Sequence, residues 1–146
     1  MSGKIIAISV SSKKGIPKTN TGQALLIENW GIEGDVHAGA WHRQISLLAN
    51  ESIDKIRNKG MDNIQPGIFA ENITTENIDL LSLVVGDRIK IRNIELEITQ
   101  IGKECHNRCA IYNTVGDCVM PKEGIFARVL KGGEIKIDDM IEKLNV

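Results

Sequence analysis

The chain has 146 residues, with 18 Lys and Arg against 19 Asp and Glu and a formal charge of −1. That length suits one domain with a real core, and the balance speaks against nucleic acid or an anionic membrane surface as partner, since either would show as a basic excess. No apolar run approaches the roughly 20 residues that span a bilayer, and the opening stretch MSGKIIAISVSSKKG is too short in its apolar part, and too alternating, for a signal peptide. A cytoplasmic protein is therefore expected, with its three cysteines as reduced thiols. Trp30, Trp41, Phe69, Phe126 and Tyr112 are all the aromatics, which leaves Ile, Leu and Val to fill the core.

Taken in chain order, short β-like runs punctuated by glycine dominate. KIIAISV puts Ile6, Ile8 and Val10 on one face of a strand. GQALLIE and RQISLLA are short apolar runs of strand length. Asn50 is placed to cap a helix over ESIDKIRNK, with Ile53 and Ile56 on one face and Gly60 as its stop. DRIKIRNIELEITQIG alternates through Ile89 and Ile91, then Ile94, Leu96 and Ile98. With a turn at Arg92-Asn93 it reads as a half-buried hairpin. PKEGIFARVLKGG starts on a proline suited to a first helical turn. Ile125, Phe126, Val129 and Leu130 have helical spacing and Gly132 is a stop, so a second helix is expected there. GEIKIDDMI closes the chain with Ile135 and Ile137 alternating. Strands this numerous predict a mainly β fold, a barrel or folded sheet with short inserted helices, as one domain over residues 1–146.

Three groups of residues could carry chemistry. In GIEGDVHAGAWHRQ, Asp35 and His37 are two apart and would share a side of a strand. An Asp–His pair can orient an imidazole for proton transfer or hold a polar ligand; equally, Asp35 could bond its own backbone in a glycine-rich turn. His42 and Arg43 read as surface residues. In PGIFAENITTENIDL, Asn72 could donate and accept at a pocket edge or be a plain edge-strand residue. Glu71, Thr74 and Thr75 have no defined role. The third group is IGKECHNRCAIYNTVGDC, which holds every cysteine of the chain: Cys105, Cys109 and Cys118, with Lys103, His106 and Arg108 among them. Residues 103–131 carry five Lys and Arg against three Asp and Glu, a basic setting that lowers thiol pKa values and suits an anionic ligand bearing a soft metal. A zinc site would want tighter ligand pairs than Cys105-x3-Cys109-x8-Cys118, and the three thiols could also be small apolar core residues. Neither a Walker-type loop, nor a Rossmann glycine fingerprint, nor a nucleophilic-serine elbow is present.

The ordered set GIEGDVHAG…RQISLL, PGIFAENITTENIDLLSLVVGDRIKI, EITQIGKECH…C and GDCVMPKEGIFARVLKGGEI resembles the MOSC domain, found at the C-terminus of molybdenum-cofactor sulfurases. The likeness runs over roughly residues 4 to 141 and is closest to the small standalone bacterial type. It implies a β-barrel with short helices. It also implies a binding or carrier module for the molybdenum cofactor or its sulfur, acting in cofactor maturation beside cofactor-biosynthesis or sulfur-donor proteins.

The expected centre is one cysteine, as molybdenum ligand or persulfide carrier. Asn107-Arg108-Cys109 matches the amidoxime-reducing relatives and favours Cys109; the register of the bacterial relatives favours Cys105. Asp35, His37, Asn72, Lys103, His106 and Arg108 are the expected cofactor-binding surroundings. There is no room for the sulfurases' aminotransferase-like domain, so pyridoxal phosphate is not expected. The N-terminal barrel of the amidoxime-reducing relatives is also missing, so the pocket is expected either to be open or to be completed by a partner or a second copy of the chain, as in a homodimer. A molybdenum-dependent reductase of N-hydroxylated compounds, and a thiol or zinc protein on the same fold, are the alternatives.

Overall fold

The computed structural model describes residues 1–102 and 120–145. Its strands are β1 (Ser2–Val10), β2 (Thr19–Asn20), β3 (Gln23–Ile27), β4 (Gly31–Ile32), β5 (Ile45–Ala49), β6 (Ile73–Glu76), β7 (Arg88–Ile91), β8 (Ile94–Ile101), β9 (Ile125–Lys131), β10 (Gly133–Lys136) and β11 (Met140–Leu144). Helix α1 covers Asn50–Arg57, a single 3₁₀ turn Leu80–Ser82, and a short α2 Met120–Glu123.

Seven strands run in the order β11-β7-β8-β9-β5-β6-β1, and β11 pairs with β1 as well, so the sheet closes on itself. Closure leaves no seam with unpaired backbone, which an open sheet of this width would have to protect. β2 extends β1 outside the ring, and β10-β3-β4 form a separate three-stranded sheet against it. Pairing is antiparallel throughout except β5 with β6, whose connection passes through α1. The barrel is filled by Ile5, Ile8, Ile45, Leu47, Ile73, Ile89, Ile91, Leu96, Ile98, Ile125 and their neighbours, all fully or nearly fully buried. A second, smaller cluster sits outside the wall, where Ile53 and Ile56 of α1 meet Leu48, Ile64, Phe69 and Phe126.

The mainly β barrel with short helices is what the sequence predicts, and the β7–β8 hairpin turns at Arg92-Asn93, with Ile91 opposite Ile94. Four details differ. In β1 the register shifts between Ile5 and Ala7. Ile5 therefore joins the core in place of Ile6, while Ile8 and Val10 keep the inward face. Asn50 is the first residue of α1 and makes no cap; Ala49, still extended at φ −72° and ψ 138°, precedes it. Asn50 Oδ1 instead accepts from Arg57 Nη1 at 2.8 Å. Gly60 does lie in the left-handed region, at φ +109°, just past the helix end as expected.

The second helix is the largest correction. Only Met120–Glu123 is helical, and residues 125–131 are β9, hydrogen-bonded on both sides to β8 and β5. Ile125, Ala127 and Val129 face the barrel, while Phe126 turns outward to the α1 cluster. A strand buried on both faces shows no clean alternation, and its apolar run mimics helical spacing. At the C-terminal end Ile135 is buried, but β10 stops at Lys136 and Ile137 is exposed.

Candidate functional site

The short β4 strand releases a loop, residues 33–44, that carries Asp35, His37, Trp41, His42 and Arg43 along one side of the barrel. Asp35 ends a tight turn, its N–H bonded to Ile32 O at 3.1 Å. Its carboxylate points inward and meets Lys18: Nζ lies 2.7 Å from Oδ1, and both side chains are fully buried. The same oxygen accepts the N–H of Ser11 at 3.1 Å, and Oδ2 accepts the N–H of His37 at 3.2 Å. Asp35 thus closes a local Asx-type turn, the structural one of the two sequence readings, and also carries a buried charge against Lys18; its Oδ2 lies 3.9 Å from His37 Nδ1.

Lys18 Nζ has two further partners, Ser11 Oγ at 3.1 Å and His37 Nδ1 at 2.9 Å. An ammonium has three N–H donors and no acceptor. With Lys18 charged against Asp35, the contact to His37 requires the lone pair of Nδ1. We assign His37 as the neutral imidazole with its proton on Nε2. Lys18 sets this tautomer as a carboxylate sets the opposite one in other sites. The His37 side chain keeps about a third of its surface exposed, so it joins the buried pair to the open side of the wall.

Lys18 is held from behind by the loop 66–70. Its N–H donates to Gly67 O at 2.8 Å, and Gly67, at φ +95°, packs so closely that an added Cβ would collide with Lys18 O. Glu71 fixes that loop. Its carboxylate takes the N–H of Gly67 at 2.5 Å and of Phe69 at 3.0 Å, with the Thr74 hydroxyl at 3.4 Å. Glu71 is fully buried, and burial pushes its carboxyl above the ordinary value, against the pull of these N–H and O–H donors.

Asn72 lies on the barrel wall between β5 and β1. Its Oδ1 accepts from Ser46 N at 3.0 Å and Ser46 Oγ at 3.2 Å, and its Nδ2 donates to Ser9 O at 3.0 Å. Most of the amide's capacity therefore stitches strands together. Farther along the loop, Trp41 Nε1 donates to His37 O at 2.8 Å. His42 Nε2 meets Gln100 Oε1 at 2.8 Å, and His42 O accepts from the Thr99 hydroxyl. Arg43 is no free surface residue: its guanidinium sits over the rings of Trp41 and Phe126.

The structure thus brings Asp35 and His37 together and adds two residues that sequence reasoning passed over. Lys18 stands in KKGIPKTN as one lysine of three, and nothing in its spacing marks it. Arg43 had a signal, since it follows Trp41 by two. Cys105, Cys109, Cys118, Lys103, His106 and Arg108 all lie outside the described residues. The segment that contains them leaves β8 at Gly102, directly after Thr99 and Gln100, which bind His42. Among the described residues, no three His, Cys, Asp or Glu side chains group as a metal site, and no helix is long and apolar enough to cross a membrane.

The family model of the MOSC domain matches residues 34–142. The chain belongs to the MOSC family. Among solved structures, this MOSC chain is similar to the YuaD protein of Bacillus subtilis, with a TM-score of 0.81 at 20% identity over 97% of this chain and 94% of that one. It is similar to YiiM of Geobacillus stearothermophilus, TM-score 0.74 at 18% identity over 98% and 75% of the two chains. YiiM of Escherichia coli gives 0.69 at 16% identity over 100% and 71%. At such identities these likenesses establish the shared barrel. A search of curated proteins by sequence finds no match. Family membership points to a function connected with the molybdenum cofactor.

Proposed function

We propose that this MOSC domain binds the molybdenum cofactor, or carries sulfur for it, through a cysteine thiolate, within cofactor maturation. The observation that carries the reading is the buried Lys18–Asp35–His37 cluster, at one end of the loop whose other end borders the start of the thiol segment. A buried ion pair with every partner satisfied costs desolvation and is weak evidence of stabilisation for its own sake, which favours a binding role for this one.

Molybdenum in this cofactor is thiophilic, which supports Cys109 as the ligand, with Cys105 as the alternative. His37, fixed by Lys18 at Nδ1 and about a third exposed, lies at the edge of this cluster toward the open side of the wall. Asn72 holds β5 and β1 at a fixed separation behind the site. When bound, the cofactor would supply a redox-active, sulfur-accepting metal. Lys103, His106 and Arg108 would add positive charge around the thiolate and favour its ionised form.

Anaerobic loading with molybdenum cofactor, followed by molybdenum and pterin analysis, tests this on wild type and on Cys105→Ser, Cys109→Ser and Cys118→Ser. Retention near one equivalent in wild type, lost in Cys109→Ser alone, is expected. Loss in Cys105→Ser alone would move the ligand but keep the reading. Retention by none of the four proteins would overturn it.

A further inference from the structure

Arg57, Arg92 and Arg128 each engage a carboxylate at 2.7 to 2.9 Å. Arg43 does not. Its guanidinium carbon lies 4.7 Å from the centroid of Trp41 and 5.5 Å from that of Phe126, and its Nε is buried without a hydrogen-bond partner. Two aromatic faces strip water from the cation. The ring quadrupoles offset part of that loss, but they do not satisfy N–H donors, and a donor withdrawn from water and left unmade is costly.

The group is also held still. Trp41 is tethered by its Nε1 to His37 O, and Phe126 lies in β9, in the wall of the barrel. A clamped guanidinium loses little further freedom on binding, and its planar fork matches a phosphate or carboxylate with two parallel bonds. Charge points the same way. Lys18 and Asp35 pair with each other, so among the described residues Arg43 is a cation of this loop with no carboxylate partner. It stands between His37 and the end of β8.

We propose that Arg43, held against the rings of Trp41 and Phe126, is an oxoanion subsite that takes the phosphate monoester end of the ligand bound at this wall. The assignment to that ligand rests on the function proposed above; the oxoanion subsite itself does not. Trp41 supplies the test. Trp30→Phe removes the other tryptophan, an exposed side chain, and leaves Trp41 fluorescence as a reporter touching Arg43.

Titration of Trp30→Phe with inorganic phosphate, at ionic strength held constant with chloride, should give a saturable change. The change should vanish in Trp30→Phe/Arg43→Met. In Trp30→Phe/Arg43→Lys, which keeps the charge and loses the fork, binding should weaken about tenfold, the worth of one charge-assisted hydrogen bond. No saturable change, or one that survives Arg43→Met, overturns the subsite. If Arg43→Met does not fold, phosphate binding undiminished in Arg43→Lys overturns it equally. The cofactor-loading experiment reads the function separately: failed loading with intact phosphate binding removes the ligand and leaves the subsite, and the reverse removes the subsite alone.

Discussion

The barrel and the wall beside it solve burial in opposite ways. Inside the ring, Ile5, Leu47, Ile89 and Ile125 are held by contacts that no single partner dominates. At the wall, Lys18 and Asp35 are equally buried but depend on a few directed bonds, each at a set distance. The apolar interior degrades gradually, by volume lost. The polar one fails when a single partner is removed, because a charge is then left in a place built for two.

The largest break should therefore come from Asp35→Ala. It leaves the Lys18 ammonium with only a hydroxyl and an imidazole, and strips the backbone N–H groups of Ser11 and His37 of their acceptor. About 3–5 kcal/mol of lost stability is expected, the usual penalty for orphaning a buried charge, read from urea unfolding. Replacing both members, Lys18→Met with Asp35→Leu, should restore much of that loss, since no charge is then stranded. A double variant no more stable than Asp35→Ala would show that the pair is not the unit. Neither variant should retain cofactor.

Leu47→Ala tests the other interior. Leu47 is fully buried between Ile73 and Ile125, and truncation should cost about 3 kcal/mol as lost transfer energy plus a cavity. Here ligand retention should survive wherever the protein stays folded. If Leu47→Ala lost retention at temperatures where it is folded, the two regions would be one cooperative device and the contrast would fall.

The same contrast explains what was legible in the sequence. The β7–β8 hairpin is local: Ile89 to Ile98 alternate around a two-residue turn, and the register follows from that pattern. β9 is not local. Its apolar run is buried on both faces, and only its neighbours β5 and β8 decide that Phe126 points outward. Asp35 and His37 stood out because they are two residues apart with glycines around them. Their third partner was invisible because Lys18 reaches Asp35 across 17 positions and His37 across 19, held by a loop from residues 66–70 that is itself held by Glu71. Directed long-range bonds leave no period in a sequence; apolar packing does.

Glu71 gives the smallest and most specific test. Its carboxyl is held above the ordinary glutamate value of 4.5 by burial, so the folded chain binds this proton more tightly than the unfolded one. Stability from this group is then present in full below pH 4.5 and declines as pH rises through the raised folded value. Glu71→Gln cannot titrate. It also sets an amide N–H against the N–H of Gly67 or Phe69, which should cost about 1–2 kcal/mol at the acid end. The deficit should shrink as pH rises above 4.5, because only wild type loses stability there. Urea unfolding of both proteins across that range reads the difference directly. Parallel profiles would mean that Glu71 does not titrate between the two states. Its carboxyl would then hold the loop over Lys18 through the N–H groups of Gly67 and Phe69 in one protonation state throughout, and this part of the wall would be as insensitive to pH as the barrel it flanks.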